Sequence, residues 1–367
     1  MAPRQVSPTV VIRLKVRDSV VVNAVAAARQ PRGRSRGRDS PAAARFDVLS
    51  RTMSEEILRK IALSVRNWGR WGPDDEIGTL NYITPERIAA GCRLATAGKV
   101  FALGIPLGRN GPQSGTRQRF NPIHTMFRDG GDAPRTPDEV KAMEGYGGSD
   151  DWIVMPLQCV TQWDSLAHVF YEGKMYNGYD ARLVTSSGAA KNSIFKTKDK
   201  LVGRGVLLDV ARHKGVRALE AGYAITVADL EATAAAERVE VLPGDILLVR
   251  TGHMTRYLDK NDWRHYDLDP FPGMSIHTTP WLHAKQIAAI GSDNYAVEVR
   301  PSEIPGFRNP FHVVAIPNMG LTLGEIFFLE DLAADCAADG RWAFLLVAPP
   351  LAVTHGVGTP INPYALK

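Results

Sequence analysis

The chain has 367 residues, of which 44% are hydrophobic and 23% are charged, and this composition is typical of a globular protein. No stretch approaches the roughly 18 consecutive apolar residues that a membrane-spanning helix needs, so we expect no membrane partner. The three cysteines, Cys92, Cys159 and Cys336, are widely separated and odd in number. They argue against a disulfide framework or a CxxC site and favour the reducing cytoplasm.

The net charge of +5 is unevenly distributed along the chain. Residues 1–52 contain eleven Lys or Arg against three Asp or Glu and carry +8, whereas the other 315 residues carry −3. A mildly acidic body has no general attraction for phosphate backbones. The basic overall charge therefore gives no reason to expect that the folded part binds nucleic acid.

Residues 1–52 are rich in Arg, Ala, Ser and Pro, and we predict a disordered or non-native extension there. Three interpretations stay open, namely translated sequence upstream of a true start at Met53, an organelle transit peptide, or a basic arm for nucleic acid. After Met53 come two acids and a helical apolar pattern, which is typical of an N-terminal helix. We therefore predict a single domain over residues 53–367.

Strands and helices alternate in the rest of the sequence. Thr84 as N-cap and Pro85 at the first helical position predict a helix that ends before Gly98. The segment 110–151 is rich in Gly, Pro, Asp and Arg, which indicates a long functional loop. The other predicted elements are strands at 100–107, 206–210, 246–250 and 345–353, and helices at 227–239 and 281–290. Buried strands separated by capped helices indicate one α/β domain.

The segment 161–168, with the sequence TQWDSLAH, is the best candidate for chemistry. Asp164 and His168 are four residues apart, so they would share a helix face or converge from a loop on a cation. This pair of ligand types suits zinc, manganese or iron(II), although such a spacing also arises by chance. Trp163, between them, would either stack on a flat substrate or pack in the core.

Two further features of the sequence are candidates for ligand binding. Gly203 and Gly205 precede a predicted strand instead of following one, so a dinucleotide-binding loop is rejected. His124 lies in the long loop, where binding residues concentrate, and is interpreted as either a pocket residue or a structural histidine.

The motif and its surroundings resemble the kynurenine-formamidase-like, or cyclase, family of metal-dependent hydrolases, in its longer branch with a TQWDxxxH motif. The family hallmark HxGTHxDxPxH matches residues 158–168 at Thr161, Asp164 and His168. Matching segments follow in order between about residues 66 and 350, namely NWGRWG at 67–72, GTLN at 78–81, GRGVLLD at 203–209, GD at 244–245, RTG at 250–252 and DN at 293–294. The resemblance implies a swivelling β/β/α domain that assembles as a homodimer or larger oligomer.

The resemblance also implies a metal site with altered ligands. Asp164 matches the family's ligand aspartate, and His168 matches the last motif histidine, which donates and accepts protons. The two motif histidines that bind metal in the formamidases fall on Gln158 and Gln162.

The family's distal histidine and glutamate ligands fall on His312 and Glu325. With Asp164 and possible help from Gln162, these residues would form an oxygen-rich site with one nitrogen. A glutamine oxygen is a poorer ligand for zinc than imidazole but is acceptable to manganese or magnesium. The expected cofactor is therefore a divalent metal ion, with manganese favoured over zinc.

The function implied by the resemblance is an arylformamidase-like hydrolase. It would open an amide, lactam or lactone bond, or hydrolyse a formamide, of a small carbonyl compound through a metal-activated water. His168 is the predicted catalytic residue, and His124 and Trp163 are the predicted substrate-binding residues, with an aromatic substrate accordingly favoured. The alternative is a family member that has lost hydrolysis and binds a small ligand, since two hallmark ligands are replaced.

Overall fold

The computed structural model describes residues 54–268 and 270–367, together with two short strands, β1 (Val10–Ile12) and β2 (Ala24–Ala26), which pair antiparallel. The chain divides into two units, Met1–Leu49 and Ser50–Lys367. Apart from β1 and β2, the predicted extension at 1–52 lies outside the described residues. In the described part of the chain, no helix is long and apolar enough to cross a membrane.

A nine-stranded mixed sheet organises the second unit. Its four central strands are parallel, and antiparallel strands flank them on both sides. In spatial order the strands are β16 (Gly358–Pro360), β6 (Gln162–Asp164), β14 (Thr322–Glu325), β13 (Ala289–Ser292), β11 (Ile246–Arg250), β9 (Val202–Asp209), β15 (Ala343–Val347), β17 (Tyr364–Leu366) and β3 (Val100–Ala102). Three small two-stranded sheets pair β4 (Ile123–Arg128) with β5 (Asp150–Val154), β7 (Val184–Thr185) with β8 (Gly188–Ala189), and β10 (Ala224–Ile225) with β12 (Gly273–Met274).

Helices cover both faces of the large sheet. The helices of the described residues are α1 (54–64), α2 (Pro85–Cys92), α3 (Pro137–Ala142), α4 (Val210–His213), α5 (Val227–Glu237), α6 (Thr255–Leu258), α7 (Thr279–Ala284), α8 (Pro310–Val314) and α9 (Glu330–Asp339), of which α3 lies apart from the large sheet. A π-helical turn, Ala315–Met319, continues α8. The predicted mixed α/β architecture is therefore present.

The central strands are buried on both faces, which explains why their sequences are continuously apolar. In β11, Leu247 and Val249 pack into the hydrophobic core on one face, and Ile246 and Leu248 pack into a second core on the other. The strand predicted at 246–250 is confirmed with the same bounds.

Several predicted elements have different ends. The strands at 100–107 and 345–353 are shorter, as β3 and β15, whereas the strand at 206–210 begins four residues earlier, as β9. The helix predicted from Pro85 begins there, with the Thr84 hydroxyl accepting a hydrogen bond from Arg87 N (3.4 Å), and it ends at Cys92.

The helix predicted at 281–290 is wrong in its second half. Helix α7 ends at Ala284, Gln286 has a left-handed backbone (φ 55°), and β13 begins at Ala289. A short apolar run has the same composition in a buried strand and in a buried helix. The segment Ala289–Ser292 forms a strand because it pairs with β11 on one side and with β14 on the other.

The prediction of a long functional loop at 110–151 is also wrong in part. It contains β4, which pairs with β5, and the short helix α3. Thr136 and Glu139 form a capping box at the start of α3, with Pro137 at its first turn. This is the same sequence signal that predicted α2, so α3 could have been found.

One acidic side chain, Glu237 at the end of α5, is partly buried at an energetic cost. Its Oε1 accepts a hydrogen bond from the backbone N of Asp209 (3.0 Å), whereas its Oε2 is buried without a partner among the described residues. Burial is the main cause that raises the pKa of Glu237 to about 8; the Asp209 N–H opposes this rise, and the Asp209 carboxylate adds to it.

We expect Glu237→Gln to stabilise the protein at alkaline pH, because the amide keeps an acceptor for Asp209 N and carries no charge. An acid whose folded pKa lies above its unfolded pKa destabilises the fold increasingly as pH rises between the two values. Thermal unfolding should therefore show a higher midpoint for the variant at about pH 9, by about 2–4 °C for each kcal/mol gained, and equal midpoints at about pH 4. An identical difference at both pH values would contradict this explanation.

Candidate metal centre

Two paired strands bring polar side chains to one face of the sheet. Strand β6 runs antiparallel to β14, with Gln162 opposite Glu325 and Trp163 opposite Gly324. Because side chains alternate along a strand, Gln162 and Asp164 lie on one face and Trp163 lies on the other. The side chains of Gln162 and Glu325 meet on that face, where Gln162 Nε2 donates a hydrogen bond to Glu325 Oε2 (3.0 Å).

The carboxylate of Glu298 positions His312 beside these strands. Glu298 Oε2 accepts a hydrogen bond from Phe311 N (3.0 Å) in the first turn of α8, and Glu298 Oε1 lies 2.5 Å from His312 Nδ1. A carboxylate that accepts the Nδ1 proton fixes the ring and leaves Nε2 free to bind a ligand. His312 Nε2 lies 3.3 Å from Glu325 Oε1 and 3.9 Å from Asp164 Oδ2.

Asp164, His312 and Glu325 form a cluster of candidate metal ligands, which we call the ligand cluster. Each is buried and offers one donor atom, and these atoms all lie within 4.8 Å of one another. Both carboxylate oxygens of Asp164 and Oε1 of Gln162 are buried without a hydrogen-bond partner among the described residues. An unpartnered buried carboxylate is unfavourable unless a cation or a donor completes its surroundings. The donors therefore fit a divalent cation.

The charges in the ligand cluster depend on one another. Burial raises the pKa of Glu325; the hydrogen bond with His312 opposes this rise, and the carboxylate of Asp164 adds to it. Burial disfavours a charged His312, but its interactions with Glu298 and Glu325 outweigh burial and raise its pKa. The site thus attracts positive charge, which either an imidazolium or a divalent cation can supply.

A cavity of about 350 Å³ lies beside the ligand cluster. Its lining combines His312 and Glu325 with His168, Arg119 and the aromatic side chains of Phe271 and Tyr295. This volume, with a mixed apolar and polar lining, is typical of a site for a small molecule.

His168 follows β6 in a turn and lines the cavity. Its side chain is 20% exposed, and its Nε2 lies 3.8 Å from Asp164 Oδ1. Burial lowers the pKa of His168, with Asp164 opposing and the cationic Arg119 and His312 reinforcing the effect. A neutral imidazole at neutral pH is able to accept a proton.

Trp163, predicted to bind substrate, is placed in the core instead. Its side chain is fully buried, its Nε1 donates a hydrogen bond to Ala348 O (2.9 Å), and its ring packs edge-on against Phe327. The opposite residue is a glycine for a steric reason, because a Cβ on Gly324 would lie 2.4 Å from the Trp163 ring. Strand alternation turns this indole away from Asp164, so it is not placed to stack on a substrate.

The other predicted site residues lie at different distances from the ligand cluster. Gln162 adjoins it, and the backbone oxygen of Gln158 accepts a hydrogen bond from Nη1 of the cavity-lining Arg119 (2.8 Å). His124 lies on the exposed hairpin of β4 and β5, where its Nε2 is 2.7 Å from Asp151 Oδ2. His124 is not among the cavity-lining residues.

Sequence reasoning missed three residues of this region, Glu298, Arg119 and Tyr295. Glu298 lies 14 residues before the histidine that it positions, and Arg119 lies 176 residues before Tyr295, to which it donates a hydrogen bond. No motif spacing marks such pairs, because only the folded chain brings them together.

These features define a mixed α/β protein with a buried cluster of candidate metal ligands beside a cavity of about 350 Å³. The family model described as "Putative cyclase" matches residues 80–299, and the chain belongs to this family. A solved structure described as a novel cyclase is 42% identical, with a TM-score of 0.72, and the alignment covers 83% of this chain and 98% of that one. The predicted family and its α/β fold are therefore confirmed.

Two more distant structures share the fold. An isatin hydrolase bound to the product analogue thioisatinate is 18% identical, with a TM-score of 0.51, and the alignment covers 77% of this chain and 99% of that one. Isatin hydrolase A from Labrenzia aggregata, bound to benzyl benzoate, is 15% identical, with a TM-score of 0.52, and the coverage is 76% and 97%. Among curated proteins, none matches this chain.

Proposed function

We propose that this protein is a metal-dependent hydrolase of the cyclase family. Its substrate would be a small carbonyl compound whose amide, lactam, lactone or formamide bond is hydrolysed. The main support is the unpartnered, buried carboxylate of Asp164, which meets His312 and Glu325 beside a cavity of about 350 Å³. This reaction class agrees with the fold, which the protein shares with a structure described as an isatin hydrolase.

Asp164, His312 and Glu325 would hold the metal ion, with Gln162 Oε1 as a further candidate ligand. Three oxygen donors and one nitrogen favour manganese over zinc. Such an ion supplies Lewis acidity, which polarises a carbonyl group and makes water a better nucleophile. Glu298 would keep His312 in the orientation that ligation requires.

The role of His168 in this reaction is proton transfer. Its lowered pKa keeps the imidazole neutral at neutral pH, so it can take a proton from the attacking water. The resulting imidazolium, 3.8 Å from the Asp164 carboxylate, can then give that proton to the leaving nitrogen or oxygen. Assembly as a homodimer or larger oligomer stays a prediction.

Elemental analysis of the purified protein tests the proposed function, together with a screen of cyclic amides, formamides and lactones. We expect about one divalent ion per chain, hydrolysis that stops after chelation and restoration by added manganese. Binding of an ion to the folded state should also raise the unfolding temperature. A protein without stoichiometric metal, and without a response to manganese or zinc, would contradict the proposal.

The same experiment distinguishes a second candidate, a protein of this family that binds a small ligand without hydrolysing it. The observation in its favour is that glutamines occupy positions 158 and 162, where the resemblance expects ligand histidines. Such a protein would show ligand binding in the cavity and no turnover of any compound in the screen.

A further inference from the structure

Arg119 is a partly buried cation that lines the cavity beside the ligand cluster. Its Nη1 donates hydrogen bonds to two neutral oxygens, the backbone oxygen of Gln158 (2.8 Å) and the hydroxyl of Tyr295 (3.3 Å). Among the residues that the structure describes, no carboxylate lies within ion-pair distance of its guanidinium.

Two arginines on strands of the large sheet, Arg204 in β9 and Arg250 in β11, do have such partners. Arg250 Nη1 lies 2.8 Å from Asp209 Oδ1, and Arg204 Nη1 lies 2.7 Å from Asp245 Oδ2. Withdrawing a charge from water is unfavourable unless an opposite charge or hydrogen bonds compensate for it. Arg119 therefore lacks the kind of partner that these two arginines have.

Burial lowers the pKa of Arg119, but Tyr295 and the carboxylates of Glu325 and Asp164 outweigh burial and raise this pKa overall. If a divalent cation occupies the ligand cluster, it neutralises these two carboxylates. The guanidinium then faces the cavity as uncompensated positive charge. An anionic oxygen in the cavity is the partner that would restore the balance.

Tyr295 adds a second donor at the same place. Its side chain is 5% exposed, and its hydroxyl oxygen accepts the hydrogen bond from Arg119. The hydroxyl proton has no acceptor in the described part of the chain, and the cavity lies beside it. Two donors from different parts of the chain thus converge on one side of the cavity.

We propose that Arg119 and the Tyr295 hydroxyl form an oxyanion subsite that binds the carbonyl oxygen of the substrate and then the carboxylate product. This inference rests on the proposed hydrolase function. Water oxygen forms a bond to the carbonyl carbon, and the π electron pair moves to the carbonyl oxygen, where both donors stabilise the negative charge. His168 accepts one proton of the attacking water, return of the electron pair re-forms the C=O bond and breaks the C–N or C–O bond, and that proton goes to the leaving atom. The carboxylic acid so formed loses its remaining proton to solvent and becomes the carboxylate product.

Calorimetric titration with benzoate, and with benzamide as its neutral isostere, tests the subsite without requiring turnover. Wild-type protein loaded with manganese should bind benzoate more tightly than benzamide. Arg119→Met should weaken benzoate binding by at least about tenfold and change benzamide binding by less than about twofold, because charge-assisted hydrogen bonds are the strong ones. Arg119→Lys should retain part of the benzoate affinity that Arg119→Met loses. Tyr295→Phe should lose less benzoate affinity than Arg119→Met.

The matched control is Arg264→Gln, at an exposed arginine that pairs with Asp262 outside this cavity. It should bind benzoate like the wild type. Circular dichroism and unfolding temperature establish that each variant is folded, and elemental analysis that its metal content is unchanged. With a hydrolysed substrate in hand, Arg119→Met should lower kcat by about 10²–10³-fold, with a smaller change in KM.

Two results would overturn the subsite: benzoate binding that is absent in the wild type, or benzoate affinity in folded Arg119→Met within about twofold of wild type. If hydrolysis persists in that case, the proposed function stands and only the subsite fails. If no compound is hydrolysed but Arg119→Met loses benzoate binding, the subsite stands and the hydrolase proposal fails.

Discussion

Asp164→Asn is expected to abolish stoichiometric binding of a divalent cation while leaving the protein folded. The substitution keeps the shape of the side chain but replaces an anionic ligand by a neutral amide. We expect metal affinity to fall by more than about 100-fold, the upper end of the loss typical when only an outer partner of a ligand is removed. Titration with manganese, followed by calorimetry or by the paramagnetic signal of the free ion, measures this change.

The stability of Asp164→Asn in chelator is the informative control. Neither carboxylate oxygen of Asp164 has a hydrogen-bond partner among the described residues, so removing the charge breaks no hydrogen bond there. We therefore expect the unfolding temperature in chelator to be equal to or above that of the wild type. The upward shift that manganese gives the wild type should be absent.

Asp293 provides a matched contrast, because it is an equally buried aspartate whose oxygens are occupied. Its carboxylate accepts hydrogen bonds from Thr251 N (2.8 Å), Thr251 Oγ1 (2.7 Å) and Gly252 N (2.7 Å). Asp293→Asn sets an amide against these donors and should lower the unfolding temperature with or without metal. If Asp164→Asn also lowered the unfolding temperature both with and without metal, Asp164 would be a structural residue.

The sequence was sufficient to predict elements whose local signals agree with their tertiary surroundings. Helix α5 follows the capping threonine Thr226, and β11 is apolar on both faces because both faces are buried. Strand β13 was missed because its apolar run, 287–290, is compatible with either element until neighbouring strands are known. Local signals thus identify capped helices better than buried strands that follow a helix.

At the candidate site too, residues within one motif could be predicted from the sequence, whereas residues joined only by tertiary contacts could not. Asp164 and His168 lie within one motif, so the sequence alone indicated them. The choice between substrate stacking and core packing for Trp163 could not be made from the sequence, because the direction of its side chain depends on whether residues 162–164 form a strand or a helix. Glu298 and Arg119 act through contacts between distant parts of the chain, and sequence spacing carries no information on those contacts.

His168→Ala is expected to lower kcat by about 10²–10⁴-fold, the range for loss of a general acid–base group, and to leave the metal content unchanged. The imidazole lines the cavity, and the 3.8 Å separation between its Nε2 and Asp164 Oδ1 places it beside the ligand cluster. The alanine variant keeps Asp164, His312 and Glu325, so manganese titration should match the wild type. Elemental analysis and steady-state kinetics on the same sample measure both quantities.

Added imidazole makes this prediction more specific. If the lost function is proton transfer, free imidazole that enters the cavity should restore part of the rate in His168→Ala and leave the wild-type rate unchanged. His213→Ala, at an exposed histidine in α4, is the matched control and should retain both activity and metal. Wild-type kcat in His168→Ala would exclude proton transfer by this residue, whereas joint loss of metal and activity would assign it to the metal site.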